Sequence, residues 1–228
     1  MRIPERIPEG AGYQSEAMLS FFRRSLKIDD PAQSRMLERM NEEGLPAINI
    51  GAIEGRILEL LARSCGASKA VEIGTLGGYS ALWISRGLAE AGRLWSIELD
   101  AARAAAAAKA LAEAGCSGKV SVLAGNALDH LPRLEAEGPF DFCFIDADKS
   151  HYPDFLRWAT RNLRTGGIVA ADNVFLFGKA HLPPSETGEY EEIVAPMREF
   201  LAILSDRALF QACALIPTPE GLALGVKR

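Results

Sequence analysis

Three side chains that carry oxygen atoms follow two apolar segments in the second half of the chain. Asp146 ends the segment FDFCFID, and Asp172 and Asn173 lie within GGIVAADNV. If these segments are neighbouring parallel strands, their carboxyl ends meet at one edge of a sheet and bring the three side chains together. Two carboxylates and an amide oxygen suit Mg²⁺, or the similarly hard Mn²⁺ or Ca²⁺, and leave coordination places for water and substrate. The alternative is that Asp172 caps a helix and Asp146 contacts a cofactor.

A glycine-rich segment and a later acid indicate a cofactor that contains a nucleoside. EIGTLGGYS, residues 72–80, follows an apolar strand and precedes a helix, where glycines let the backbone approach a ligand closely. Its spacing differs from G-x-G-x-x-G, which disfavours a dinucleotide and hence a nicotinamide dehydrogenase. Glu98 ends the next strand about twenty residues later, where a carboxylate can accept hydrogen bonds from ribose hydroxyls. Asp100 fits a helix N-cap better than Glu98 does. A tight turn without a ligand is the alternative.

Lys149 stands where it could remove a proton from a hydroxyl group. It lies three residues after Asp146, at the expected start of a helix, which is an unfavourable place for a cation without a role. A metal ion that binds two adjacent hydroxyl oxygens orients them and lowers their pKa, so that a desolvated lysine could accept the proton. The alternative is a lysine exposed to solvent. The three histidines have no catalytic spacing; they are His130, His151 and His181.

Alternating strands and helices must position these residues. From residue 51 onward, short apolar segments alternate with helical patterns, which predicts a doubly wound, mostly parallel α/β sheet. The predicted strands are KAVEIG, RLWSIEL, KVSVLAG, FDFCFID, GGIVAADNV, LFQACALI and GLALGVK. The turn PTPEG joins the last two into a hairpin, which would add an antiparallel strand. Two helices, at about 14–27 and 31–42, follow a start rich in Pro and Gly, so residues 1–50 form a predicted helical extension to a domain of residues 51–228.

Charge, hydropathy and cysteine content limit the cellular location and the classes of partner that we expect for the protein. The chain has 228 residues and a formal net charge of −5, which argues against a nucleic-acid backbone as the main partner. No apolar run approaches the roughly 20 residues that span a bilayer, and the N-terminus has no apolar signal region. The four cysteines form no CxxC motif. We therefore expect free thiols, a cytoplasmic protein and no membrane partner.

Six sequence blocks together resemble the cation-dependent O-methyltransferases, the group that holds catechol and caffeoyl-CoA O-methyltransferases. The blocks are INIGAIEGRIL, VEIGTLGGYSALWIS, IELD, GNALD, FIDADKSHY and GGIVAADNV, in order from about residue 45 to the C-terminus. The resemblance implies the class I methyltransferase fold, a Rossmann-like seven-stranded sheet with an antiparallel terminal hairpin. It also implies metal-dependent transfer of a methyl group from S-adenosylmethionine to a hydroxyl of a small catechol-like or phenolic substrate.

The same resemblance assigns roles to individual residues at the strand ends. The residues that would hold the methionine part of the cofactor are Glu72, Gly74, Thr75 and Ser80. The other implied cofactor contacts are Ile50 through its backbone, Glu98 at the ribose, Ala127 at the adenine, and Asp146 and Asp148. The implied metal ligands are Asp146, Asp172 and Asn173, and Lys149 matches the position proposed as general base.

The sequence departs from the named enzymes around the substrate. Phe177 stands where the plant enzyme has a polar substrate contact, and Ala147 and Asp148 replace a His-Trp pair of the catechol enzyme. The third, substrate-binding acid of the catechol enzyme has no match. We expect residues 1–50 and the long connection 174–192 to shape the substrate pocket.

Two other functions and one assembly state remain as expectations. Methylation of a hydroxyuridine in tRNA would need a basic patch, for which the candidates are Arg23, Arg24 and Lys27. A non-catalytic protein that binds a nucleoside cofactor is the second alternative. A homodimer is expected, because the first helix carries more apolar residues than a lone extension needs: Met18, Leu19, Phe21 and Phe22.

Overall fold

The computed structural model describes residues 15–228, and a seven-stranded sheet lies at its centre. The strands are β1 (Lys69–Ile73), β2 (Arg93–Glu98), β3 (Val120–Ala124), β4 (Phe140–Ile145), β5 (Leu163–Ala171), β6 (Phe210–Ile216) and β7 (Leu222–Lys227). Their order in the sheet is β3-β2-β1-β4-β5-β7-β6. The first five strands are parallel, and β7 runs antiparallel to both β5 and β6. The predicted sheet with its reversed terminal hairpin is confirmed.

Helices separate the strands and follow the predicted pattern closely. They are α1 (Glu16–Ser25), α2 (Pro31–Glu42), α3 (Ala52–Ser64), α4 (Tyr79–Gly87), α5 (Ala101–Glu113), α6 (Ala127–Leu134), α7 (Tyr152–Asn162), α8 (Pro184–Thr187) and α9 (Glu191–Ser205). The short α8 was not predicted, and a 3-10 turn, Lys149–His151, precedes α7 where we expected regular helix. Asp100 caps α5 as predicted, because its side chain accepts a hydrogen bond from the Arg103 N–H at 2.9 Å. None of the helices in residues 15–228 has the length and apolar character needed to cross a membrane.

The central strands are buried on both faces, which explains why they read as continuous apolar runs. Along β4, Phe142 and Phe144 pack into one hydrophobic cluster with α2, α3 and α4. The alternate residues Cys143 and Ile145 pack into the other cluster, with α7 and α9. Two helical layers therefore sandwich the sheet and leave only its edges and strand ends for a ligand.

The N-terminal helices differ in how they join the domain. Met36 and Met40 of α2 are buried in the same cluster as α3 and α4. In contrast, α1 has no buried residue, and Phe21 and Phe22 are exposed. The division of the chain at residue 50 stays a prediction. Residues 1–14, which include the Pro/Gly-rich start and the first residue of the predicted helix 14–27, lie outside the described residues.

Candidate active site

A cleft of about 630 Å³ opens at the carboxyl ends of the central strands, where open α/β sheets bind their ligands. Most of the residues that the sequence assigned to a cofactor, a metal or a base line it: Ile50, Gly74, Thr75, Ser80, Glu98, Ala127, Asp146, Asp148, Lys149 and Asn173. The two others, Glu72 and Asp172, are buried behind this lining, with 0% and 4% of their surfaces exposed. The structure thus brings the predicted residues together in one place.

The glycine-rich turn after β1 presses against the end of β4. A Cβ atom on Gly74 would lie 1.9 Å from the carbonyl oxygen of Asp146, and Gly74 has a φ of +100°. The N–H of Asp146 also donates to the carbonyl of Ile73 at 2.8 Å. Only glycine combines this backbone conformation with so close a contact. The turn that would hold a cofactor and the candidate metal ligand Asp146 are therefore fixed side by side.

Glu98 at the end of β2 holds the far side of the same turn. Its Oε2 accepts a hydrogen bond from the N–H of Leu76 at 2.8 Å, and its Oε1 accepts one from the N–H of Asp100 at 3.1 Å. Its carbonyl accepts the N–H of Gly125 at 2.8 Å, which brings the turn before Ala127 alongside. Glu98, which the sequence assigned to the ribose, thus connects the turn assigned to the methionine part of a cofactor with the turn assigned to the adenine.

A buried polar cluster lies under the turn. The carboxylate of Glu72 accepts a hydrogen bond from the Ser96 hydroxyl, which lies 2.6 Å from the Thr75 hydroxyl. Burial raises the pKa of Glu72 to about 8, so this side chain is mostly protonated at neutral pH. Its Oε1 is buried and has no hydrogen-bond partner among the described residues. Glu72 supports the turn from below, and a direct contact with the methionine part of a cofactor stays a prediction.

The three candidate metal ligands lie at the ends of β4 and β5. The N–H of Asp172 donates to the carbonyl of Ile145 at 3.0 Å, which places Asp172 next to Asp146. Burial, followed by the negative charge of Asp146, raises the pKa of Asp172 to about 7. The Oδ1 of Asp172 is buried and has no hydrogen-bond partner within residues 15–228. A divalent cation fits this donor set, because it would stabilise both carboxylates and use the unpartnered oxygen.

The candidate metal ligands include an amide, so they differ from a site whose ligands are all Asp, Glu, His or Cys. In the part of the chain that the structure describes, no three such side chains converge as a metal site. The predicted set has two carboxylates, and its third ligand is the amide oxygen of Asn173, which lies on the cleft wall. Asn173 has a φ of +57°, a conformation that asparagine adopts more readily than most residues.

Lys149 is held next to these acids by two contacts. Its Nζ donates to Oδ1 of Asp146 at 3.0 Å and to the hydroxyl of Tyr152 at 2.7 Å. The Tyr152 hydroxyl in turn donates to the carbonyl of Asp172 at 2.9 Å. Tyr152 is fully buried, and burial raises its pKa well above the usual value. The ammonium group therefore has a fixed position between the strand ends of β4 and β5.

Two residues near these acids were missed by sequence reasoning: the buried Tyr152 and the cleft residue His151. We gave Tyr152 no role, although its spacing of three residues from Lys149 could have indicated a contact across one turn. His151, for which we expected no catalytic role, does line the cleft, and its Nδ1 lies 3.4 Å from Asp154. His151 therefore lies on the cleft, and its side chain contacts Asp154.

Part of the cleft lining is apolar and exposed. Ile48 and Phe177 line it, with 71% and 70% of their surfaces exposed. Ile48 comes from the segment before α3 and Phe177 from the connection after β5, the two regions that we expected to shape a substrate pocket. Glu220, from the turn between β6 and β7, lies on the same cleft.

Comparisons with known proteins agree with this geometry. A family model described as O-methyltransferase matches residues 26–227. Catechol O-methyltransferase from Niastella koreensis is 38% identical over 207 residues, which cover 88% of this chain and 92% of that protein. Catechol O-methyltransferase from Mycobacterium tuberculosis is 41% identical over 159 residues, which cover 70% of this chain and 72% of that protein.

A solved structure gives the same result for the fold. The O-methyltransferase from Bacillus cereus, in complex with SAH, superposes with a TM-score of 0.85 at 30% identity and covers 93% of this chain and 97% of that chain. The predicted class I fold is confirmed, and so is the resemblance carried by the six sequence blocks.

The raised pKa of Glu72 predicts how stability depends on pH. Its folded value, about 8, lies above the usual value near 4.3. Such a group contributes stability that is complete below the usual pKa and is lost as pH rises through the folded value. Glu72→Gln keeps the shape without the charge, so at about pH 9 it should be more stable than wild type by on the order of 1–3 kcal/mol.

Urea unfolding at about pH 5 and about pH 9 would measure this difference, which should shrink at the lower pH. Glu137→Gln, on an exposed residue, is the matched control and should follow wild type at both values. An equal change of stability with pH in wild type and Glu72→Gln would contradict the assignment.

Proposed function

Because the chain belongs to the O-methyltransferase family, we propose that it transfers a methyl group from S-adenosylmethionine to a hydroxyl of a small catechol or other phenol, with the help of a divalent cation. The observation that carries the proposal is the juxtaposition of Asp146, Asp172 and Lys149 beside the glycine-rich turn. Two relatives named catechol O-methyltransferase support the substrate class.

The cofactor would occupy the side of the cleft formed by the first three strand ends. Glu98 is placed to accept hydrogen bonds from ribose hydroxyls, and Ala127 lies by the position expected for the adenine. The turn at Gly74 and Thr75 would hold the methionine part, next to Asp146. The relative from Bacillus cereus, solved in complex with SAH, supports a cofactor of this kind.

The cation would be held by Asp146, Asp172 and Asn173. Mg²⁺ is the preferred candidate for this oxygen set, and Mn²⁺ or Ca²⁺ could replace it. When bound, such an ion orients two adjacent hydroxyl oxygens and lowers their pKa. Asp172 is itself shielded from water, with 4% of its surface exposed, and this burial strengthens its interactions with nearby charges.

Methyl transfer is an in-line displacement at the sulfonium carbon. A bond forms between that carbon and the substrate oxygen while the carbon–sulfur bond breaks, which leaves S-adenosylhomocysteine. Lys149, in its neutral form, accepts the hydroxyl proton at Nζ, and the contacts with Asp146 and Tyr152 hold that nitrogen in place. The main contribution of the chain is therefore position, because a small misplacement of the reacting atoms costs much rate.

The two alternatives receive less support. Arg23, one of the three candidate residues for a basic RNA-binding patch, forms an ion pair with Asp29 at 2.6 Å. Part of the positive charge of that patch is therefore already paired within the chain. A non-catalytic protein would have no use for the fixed contact between Lys149 and Tyr152. Methylation of hydroxyuridine RNA, with no turnover of any catechol, would favour the RNA alternative over our proposal.

We also propose a cytoplasmic location and a homodimer. All four cysteines are free thiols, which supports a reducing compartment. The apolar face of α1 supports pairing with a second copy, since Phe21, Phe22 and Leu26 are exposed and contiguous apolar surface often marks an interface.

Light scattering should give a particle of twice the 24.6 kDa chain mass. The double variant Phe21→Ser/Phe22→Ser should be a monomer with normal stability, because it removes apolar contacts that only a second copy provides. Leu60→Ser, on an exposed residue of α3, is the control and should remain a dimer. A monomeric wild type at micromolar concentration would contradict the dimer.

Removal of the metal should abolish turnover. We expect EDTA to stop methylation of catechol, because without a bound cation the pKa of the substrate hydroxyl would no longer be lowered. Added Mg²⁺ or Mn²⁺ should restore activity. Asp172→Asn should lose at least about 100-fold in kcat yet bind S-adenosylmethionine as wild type does in isothermal titration. Glu135→Gln, on an exposed acid away from the cleft lining, is the control. Full activity in EDTA would overturn metal dependence.

Replacement of Lys149 should slow the chemical step without affecting the cofactor. Lys149→Ala should lower kcat by about 100-fold and recover part of that loss at higher pH, where solvent can take the proton. Tyr152→Phe should lower kcat by about tenfold, because it removes the hydroxyl that holds Nζ. Ser85→Ala loses a buried hydrogen bond to the carbonyl of Leu82 and should keep kcat. Unchanged kcat in Lys149→Ala would exclude a catalytic role.

A further inference from the structure

The segment that follows β5 has an unusual backbone. Asn173, Leu176 and Phe177 have φ values of +57°, +50° and +54°. Residues other than glycine rarely adopt this left-handed conformation, and Leu176 and Phe177 have no short polar side chain to compensate. Such backbone persists only where the surrounding structure holds it.

The turn between β6 and β7 supplies these contacts. The N–H of Val174 donates to the carbonyl of Gly221 at 3.1 Å, and the N–H of Phe175 donates to the carbonyl of Glu220 at 2.9 Å. The N–H of Phe177 donates to Oε2 of Glu220 at 3.2 Å. This last contact is made by a side chain, and it lies at one of the left-handed residues.

The left-handed backbone of Leu176 and Phe177 determines where their two side chains lie. Leu176 is buried in the core, with 1% of its surface exposed, whereas Phe177 is 70% exposed and lines the cleft. If the backbone at Phe177 returned to an ordinary conformation, the ring would leave this position. The N–H of Lys179 closes a local turn over Phe177 on the carbonyl of Leu176 at 2.9 Å. The carboxylate of Glu220 adds the side-chain contact that holds the N–H of Phe177 on this wall.

We propose that Glu220 is a positioning residue for the methyl acceptor: it holds the backbone of Phe177 so that the Phe177 ring packs against the aromatic ring of the substrate. This inference rests on the proposed function, since it assigns the acceptor to the same cleft. Aromatic rings favour stacked or edge-to-face packing, which suits a planar phenol against Phe177 in a cleft that the apolar Ile48 also lines. A charged acceptor also gives a stronger hydrogen bond than a neutral one.

The experiment compares substrate and cofactor constants in a set of variants. Glu220→Ala should raise KM for catechol by about tenfold, with kcat within about twofold and unchanged affinity for S-adenosylhomocysteine. Phe177→Ala should give the same pattern. The double variant should be no worse than Phe177→Ala alone, because both changes remove one wall. Glu220→Gln keeps an acceptor oxygen and should stay within about threefold of wild type.

Hydrogen exchange measured by NMR gives a readout independent of turnover. The amide of Phe177 should be protected in wild type and in Glu220→Gln and should exchange rapidly in Glu220→Ala. Glu90→Ala, on an exposed residue, should leave both exchange and KM unchanged.

The outcomes separate this proposal from the function on which it rests. An active wild type whose KM is unchanged in Glu220→Ala would overturn the positioning role alone. Additive losses in the double variant would also overturn it, because Glu220 would then contact the substrate independently of Phe177. A rise in the metal concentration needed for activity, without a change in KM, would mean that Glu220 acts on Asn173 and would likewise overturn it. A wild type that methylates no phenol would overturn the proposed function, and this proposal with it.

Discussion

The contact between the turn after β1 and the end of β4 determines the geometry of the whole site. Gly74 lies so close to the carbonyl of Asp146 that a single Cβ atom would separate the two segments. Because β1 and β4 are hydrogen-bonded neighbours, their carboxyl ends also meet in register, with Ile73 opposite Ile145. The side of the cleft that suits a nucleoside cofactor and the side that suits a cation therefore share one wall. In-line transfer between two bound groups requires such a fixed distance.

Charge is the second constraint on this wall. Two carboxylates at adjacent strand ends repel each other, and burial makes the repulsion stronger than it would be in water. The raised pKa of Asp172 expresses first the burial of the carboxylate and then its repulsion from Asp146. Lys149 offsets part of the repulsion through its ion pair with Asp146. Tyr152 holds the lysine in place, and its own hydroxyl lies against backbone carbonyls at the ends of β4 and β5. The ion pair of Lys149, the buried Tyr152 and Asp172 therefore lie next to one another at the strand ends.

The sequence predicted which strand-end residues lie together at the cleft, because buried parallel strands read as apolar runs and their carboxyl ends meet at one edge of the sheet. That rule alone located Glu98, Asp146 and Asp172. It could not locate Glu220, whose contact with Phe177 joins residues that are 43 positions apart. The left-handed segment was equally hidden, since neither Leu176 nor Phe177 is a residue that indicates such a turn. Contacts of this kind depend on how the hairpin packs, which no local pattern encodes.

The two halves of the cleft consequently differ in how freely they can change. The cofactor half consists of strand ends and of a turn that tolerates no side chain at Gly74, so most substitutions there would disturb the sheet itself. The other half includes Ile48 and Phe177, whose side chains are exposed, and the backbone of Phe177 is held by a hydrogen bond to Glu220. Substitutions on such surfaces have small effects on stability. Substitutions at the exposed residues can therefore change that part of the cleft while the turn at Gly74 stays intact, which is consistent with sequence blocks that include the turn but not Phe177.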